Sequence, residues 1–142
     1  MISIKHSALL PHAADTVFDL VNDIEAYPEY MDGCVGAEVL QRDAQVVVAR
    51  LDLSKAGVKH SFTTRNVLAR PEQIQMELVE GPFSRFSGLW QFQILSEKAC
   101  KVSLDLQFAV RNRVAARAAG RLFRIVGDNL VEAVCQRANN SV

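Results

Sequence analysis

Three histidines and three cysteines are the residues best suited to chemistry, and neither set falls into a known catalytic or metal-binding spacing. His6, His12 and His60 stand in no HxxxH pattern, Cys34, Cys100 and Cys135 form no CxxC pair, and there is no GxSxG elbow. No nucleophile sits beside a base and no metal cage is spelled out, so we identify no catalytic residue, no metal site and no required cofactor. The cysteines read as reduced cytosolic thiols. What remains is the chemistry of binding. His60, Phe62, Thr64 and Asn66 alternate along one strand face, and Phe86, Gly88, Trp90 and Phe92 along another. Such faces are either ordinary core or the wall of an apolar pocket with a few polar anchors. His6 shares a face with Ile4, so it too could line a pocket or sit as a hydrogen-bonded edge histidine.

The second candidate surface is cationic. Arg113, Arg117, Arg121 and Arg124 recur at helical spacing in the first half of a proline-free stretch, residues 112–139, where the helix dipole disfavours positive charge. Two readings are open. The six acidic residues between Asp15 and Asp32 could pack nearby, or solvent could simply screen the charges, with Arg124 pairing to Asp128 four residues on; alternatively the stripe is offered to a polyanion such as RNA phosphate or anionic lipid.

These residues must be positioned by elements, and the final stretch is the longest. At about 1.5 Å per residue it makes a helix roughly 40 Å long. Plotted at 100° per residue, Ala115, Ala118, Ala119, Leu122, Phe123, Val126, Leu130, Ala133 and Val134 form one broad arc. Asn129 falls in that arc, and a buried amide needs partners from protein, water or ligand. Gly120 and Gly127 lie at its edge, which suggests close approach of a strand or a ligand. Asn112 is a suitable N-cap.

Ahead of the helix, Ile2 to Ala8 alternates as a strand, Pro11 ends it, and Val17, Leu20, Val21 and Ile24 mark a short helix that Tyr27 and Pro28 break or bend. Six strands follow. Their inward residues include Val35, Ala37 and Val39; Val47, Ala49, Leu51 and Leu53; Ile74, Met76 and Leu78; and Cys100 through Val110. Turns fall at Ser54–Gly57, Arg70–Glu72, Glu80–Pro82 and Glu97–Lys98. Consecutive antiparallel strands with one apolar face need a cover, and the long helix is the only one available. The pattern therefore predicts an α+β fold, a curved antiparallel sheet of about seven strands around a C-terminal helix.

Length and composition agree with a single domain over residues 1–142. The chain is 49% hydrophobic and 23% charged, a globular balance. Its formal net charge is +0, so overall charge predicts neither DNA nor a membrane as partner, although residues 111–142 hold six arginines against Asp128 and Glu132. No leader pattern and no long apolar run are present, which points to a cytoplasmic protein.

Three blocks carry a resemblance: DIEAYPEYMDGC at 23–34, DLSKAGVKHSFTTRN at 52–66 and LVEGPFSRFSGLWQF at 78–92. In this order they resemble the ribosome-association toxin (RatA) and coenzyme Q-binding family of the START-type, polyketide cyclase-like superfamily. The resemblance implies a helix-grip fold with a hydrophobic cavity between sheet and long helix. It further implies either a bound ubiquinone or other isoprenoid lipid, or association with the large ribosomal subunit that blocks subunit joining.

The expectation is a non-enzymatic protein for an apolar ligand, linked to respiratory quinone function, lined by His60, Phe62, Thr64, Trp90, Phe92, Leu122, Val126 and Asn129. The alternative is a toxin-like factor that meets the large ribosomal subunit through Arg113, Arg117, Arg121 and Arg124. Peripheral membrane contact and a monomer or weak homodimer fit either. A polyketide cyclase-like enzyme is a third reading, disfavoured by the missing acid and base.

Overall fold

The computed structural model describes residues 1–111 and 116–140. Strand β1 (Ile2–Leu10) leads through Pro11 into helix α1 (Ala14–Asn22) and a 3₁₀ turn, Ile24–Glu29. Six strands follow: β2 (Cys34–Arg42), β3 (Val46–Lys55), β4 (Val58–Ala69), β5 (Gln73–Glu80), β6 (Phe83–Ser96) and β7 (Ala99–Val110). Helix α2 (Ala116–Asn140) closes the chain. All strand pairs are antiparallel, in the order β1-β7-β6-β5-β4-β3-β2, so six hairpin-linked strands are completed by β1 returning to the β7 edge. This is the curved sheet and long covering helix that the alternation predicts.

The clean alternators behave as read. Cys100, Val102, Leu104, Leu106 and Phe108 on β7, and Val47, Ala49 and Leu53 on β3, are all buried. Val35 is not. It is 63% exposed, because a bulge between Cys34 and Gly36 shifts the register and hands the inward position to Cys34.

Helix α2 runs against β1, β7, β4 and β3, and touches α1 near its far end. Its buried stripe is Ala119, Leu122, Phe123, Val126, Val131, Val134 and Ala138, with Gly127 between. The helix is rolled relative to the predicted arc: Ala118 and Asn129 are exposed, and Val131 is buried instead. The glycine edge explains the roll. A Cβ on Gly127 would lie 2.8 Å from Ile4 Cδ1, so the missing side chain is what lets α2 settle against β1. Asn112 and Ala115 lie outside the described residues.

Two turns at the ends of β2 and β3 carry left-handed glycines. Gly57 (φ 82°) closes the β3–β4 hairpin in open space. Gly33 (φ 91°) precedes β2, and its carbonyl accepts the Ser54 amide at 2.8 Å. A Cβ there would stand 2.8 Å from Val126 Cγ2 on α2. Both positions strain an L side chain, but only one also presses on the helix. In urea titrations, Gly57→Ala is expected to lower the unfolding free energy by about 1 kcal/mol and Gly33→Ala by roughly twice that or more. Equal losses would mean that Gly33 does not limit the approach of α2.

Candidate ligand cavity and cationic face

The concave side of the sheet and α2 enclose a cavity of about 80 Å³. Its walls come from Ala49, Leu51 and Leu53 on β3, Phe62, Thr64 and Asn66 on β4, Phe83, Phe86 and Trp90 on β6, and Phe123, Val126, Gly127 and Leu130 on α2. The 3₁₀ segment adds Ile24 and Tyr27 to the wall, and Met31 follows it. On this scale one water occupies roughly 10–15 Å³, so the space admits a few waters or a small ring and no more.

A cluster of phenylalanines borders this space. Phe83 is the hub, with ring centroids 4.5 Å from Phe123, 5.1 Å from Phe86, and 5.6 Å from both Phe62 and Phe108. Phe62 also meets Phe123 edge-on at 5.6 Å. Phe83 and Phe86 are three apart on one strand and should face opposite ways. A bulge between Phe83 and Arg85 restores both to the inside, a parity change that nothing in the alternation announces.

Of the eight residues expected to line a ligand site, Phe62, Thr64, Trp90 and Val126 do so. The other four do not. Phe92 is buried beyond the cavity, stacked on Trp90 and edge-on to Phe18 of α1 at 5.4 Å. Leu122 is buried in the helix–sheet seam, outside the lining. His60 lies half-buried at the hairpin end, its ring 5.9 Å from that of Phe123 and its groove opening outward beside Lys59 and Asp52. Asn129 faces outward and donates to the Ile125 carbonyl at 2.9 Å, so the helix satisfies it locally. His6 is also off the cavity, half exposed and 2.9 Å from Asp128. Sequence reasoning overlooked Tyr27, Met31 and Phe108 as lining residues. A tyrosine beside a helix-breaking proline was the available signal for the first, since both lie within the 3₁₀ segment that borders the cavity.

Polar chemistry inside the cavity is sparse. Thr64 and Asn66 are buried, and the Thr64 hydroxyl donates to Asn66 Oδ1 at 2.9 Å. The Tyr27 hydroxyl is spent on the Val21 carbonyl, and burial holds its pKa well above the ordinary phenol value. Cys34 is buried, and desolvation pushes its thiol up to about 11, the opposite of an activated nucleophile. Among the described residues no group of histidine, cysteine or carboxylate side chains is placed to hold a metal ion.

The cationic face is distinct from the cavity. Arg117, Arg121 and Arg124 are exposed and, with Ile2 and Gly120, line an open groove at the start of α2. Arg113 lies outside the described residues. The acidic segment does not neutralise the stripe. Asp19 forms a two-point pair with Arg70 at 2.8 Å, Glu29 meets Arg137 at 3.3 Å, and Asp32 pairs with Lys55. Asp128 is taken by His6 and not by Arg124. Among the described residues, then, the three arginines have no carboxylate partner. None of the helices described is long and apolar enough to cross a membrane.

Residues 10–135 match the family model described as polyketide cyclase / dehydrase and lipid transport. The ribosome association toxin RatA of Pseudomonas aeruginosa is 43% identical over 95% of this chain and 94% of its own length. RatA of Escherichia coli is 39% identical over 97% and 87%. Among solved structures, the Zhui aromatase/cyclase from a Streptomyces species superposes with a TM-score of 0.84 at 20% identity, covering 97% of this chain and 93% of that one. A START superfamily protein from Mycobacterium smegmatis gives 0.81 at 22% identity, with 99% of both chains covered. The fold is thus shared widely and the sequence narrowly: the chain belongs to the polyketide cyclase / dehydrase and lipid transport family, and within it to the RatA group.

Proposed function

We propose that the protein works by binding and not by turnover, and that its cavity takes an apolar molecule such as a prenylated quinone or another isoprenoid lipid. The observation that carries this is the composition of the cavity wall: nearly continuous aliphatic and aromatic carbon, interrupted by the Thr64–Asn66 pair. Such a lining gains from burying an apolar ligand and offers no acid or base to transform one. A volume of about 80 Å³ holds only part of such a molecule, so uptake requires the phenylalanine cluster to yield. Edge-on ring pairs contribute about 0.5–1.5 kcal/mol each beyond area burial, within reach of a ligand that buries several methylenes at about 0.8 kcal/mol apiece. The family description, which includes lipid transport, supports the same reading.

Native mass spectrometry of freshly purified protein is expected to show a lipid-sized adduct, and added quinone to raise the melting temperature. Phe123→Ala, which removes the helix's contribution to the ring cluster, should cost about 3 kcal/mol or more and recover part of that loss on ligand addition. If neither adduct nor thermal shift is found, the proposal fails.

The unpaired arginines favour a second reading for a different surface. Arg117 sits in the first turn of α2, where the helix dipole disfavours it by some tenths of a kcal/mol, and Arg121 and Arg124 continue its exposed face along the groove, a surface that an anionic partner would complement better than solvent screening does. Together with RatA relatives whose name is ribosome association toxin, this supports binding to the large ribosomal subunit through RNA phosphates. The double change Arg117→Glu and Arg121→Glu is expected to abolish salt-sensitive co-sedimentation with large subunits while leaving cavity binding intact. Absence of sedimentation by the unaltered protein at low salt would end this reading.

A further inference from the structure

The Thr64–Asn66 pair on the cavity wall has a directional preference. Thr64 and Asn66 are 6% and 7% exposed, and their hydrogen bond uses the threonine proton and the amide oxygen. That leaves Asn66 Nδ2, a donor with two hydrogens, with no partner among the described residues and on the cavity wall between the Val47 and Met76 positions of the neighbouring strands. Ala49, across from Thr64, is too small to cover it, and Trp90 and Leu130 complete an otherwise carbon surround. Nδ2 keeps some accessible surface and is not sealed in, so a ligand or a trapped water in the cavity can take its hydrogens.

No lysine, arginine or histidine lines the cavity among the described residues. An anionic head such as a carboxylate or phosphate would lose its hydration and gain no counter-charge. A cation would meet no carboxylate. A plain hydrocarbon would leave Nδ2 unsatisfied.

Resting on the ligand-binding reading above, we propose that Asn66, held in orientation by Thr64, selects uncharged ligands with a hydrogen-bond acceptor on an apolar body: ketones, quinones and esters, in preference to hydrocarbons and to fatty acids. Thr64 is the positioning residue. Its hydroxyl donates to Oδ1, which leaves Nδ2 available to the ligand.

The test uses three probes of one shape: acetophenone, ethylbenzene and benzoate. They are titrated calorimetrically into the purified protein, with emission of Trp90, the chain's one tryptophan and a lining residue, as an independent reading of occupancy. The informative quantity is the ratio of ethylbenzene to acetophenone dissociation constants, since it cancels their different hydrophobicity when proteins are compared. In Asn66→Leu this ratio is expected to fall about tenfold, through weaker acetophenone and unchanged or tighter ethylbenzene binding. Thr64→Val, nearly isosteric, should lower it a few-fold and decides the matter if Asn66→Leu does not fold. Benzoate should not bind.

An unchanged ratio in the variants, or benzoate binding comparable to acetophenone, overturns the selectivity while leaving the ligand-binding reading in place. Failure of both neutral probes to bind overturns that reading and this one with it.

Discussion

The contact on which the rest depends is the one between Phe123 of α2 and Phe83 of β6, at 4.5 Å between ring centroids. A seven-stranded antiparallel sheet with one apolar face cannot stand alone, and a single helix is narrow cover for it. The gap on either side of the helix axis has to be filled by large side chains or left as space. Here the helix contributes one phenylalanine, and the sheet raises four more to meet it. The remaining 80 Å³ borders that cluster, where the helix presents Val126, Gly127 and Leu130 beside Phe123 and the 3₁₀ segment presents Ile24 and Tyr27. The cavity is therefore a consequence of how α2 is composed: small residues let it approach β1 closely along one edge, and the opposite edge is held off by Phe123.

How far this was legible in the chain follows from where the backbone keeps its period. Strands β3 and β7 hold a strict two-residue alternation, and their inward faces are those the sequence predicts. Where a bulge inserts a residue, parity changes and pattern reading fails, as for Val35, turned outward, and for Phe83 and Phe86, both turned inward. The helix shows a different limit. A wheel places residues relative to one another but has no external reference, so a roll toward the glycine edge carried Asn129 and Ala118 out and Val131 in. Phe62, Trp90 and Val126 were identifiable because they lie on unbroken segments, and Thr64 because the β3–β4 register stays regular even where the β4–β5 ladder shifts between Thr63 and Thr64. His60 and Phe92 share faces with them but lie too far along their strands. Position along a strand relative to a crossing helix is tertiary information that periodicity does not hold.

Charge in this molecule is arranged against the local dipole and away from the nearest neutralising groups. The acidic segment between Asp15 and Asp32 spends its carboxylates on Arg70, Lys55 and Arg137, all remote in sequence, and these pairs pin α1 and the turn regions to the sheet and to the end of α2. Each is largely exposed and contributes little stability by itself. The hydrogen bonds from Arg70 hold the Asp19 carboxyl below its ordinary pKa, so what that pair contributes is present above the carboxylate range and is lost as pH falls through the lowered value. The arginines at the start of α2 take no part in this pinning.

One helix thus carries both candidate surfaces, and its rigidity ties them together. Phe123 and Arg124 are consecutive residues about 100° apart around α2, one in the ring cluster and one on the open groove. A ligand that enlarges the cavity must displace Phe123 or the backbone that bears it, and a helix held by Gly33 and Ile4 at its inner edge has little freedom to do so without shifting its outer face. A partner that grips Arg117, Arg121 and Arg124 meets the same constraint from outside. If occupancy of one surface changes the position of α2 in a way the other senses, the coupling acts in both directions with the same free energy, since linkage between two binding equilibria is reciprocal.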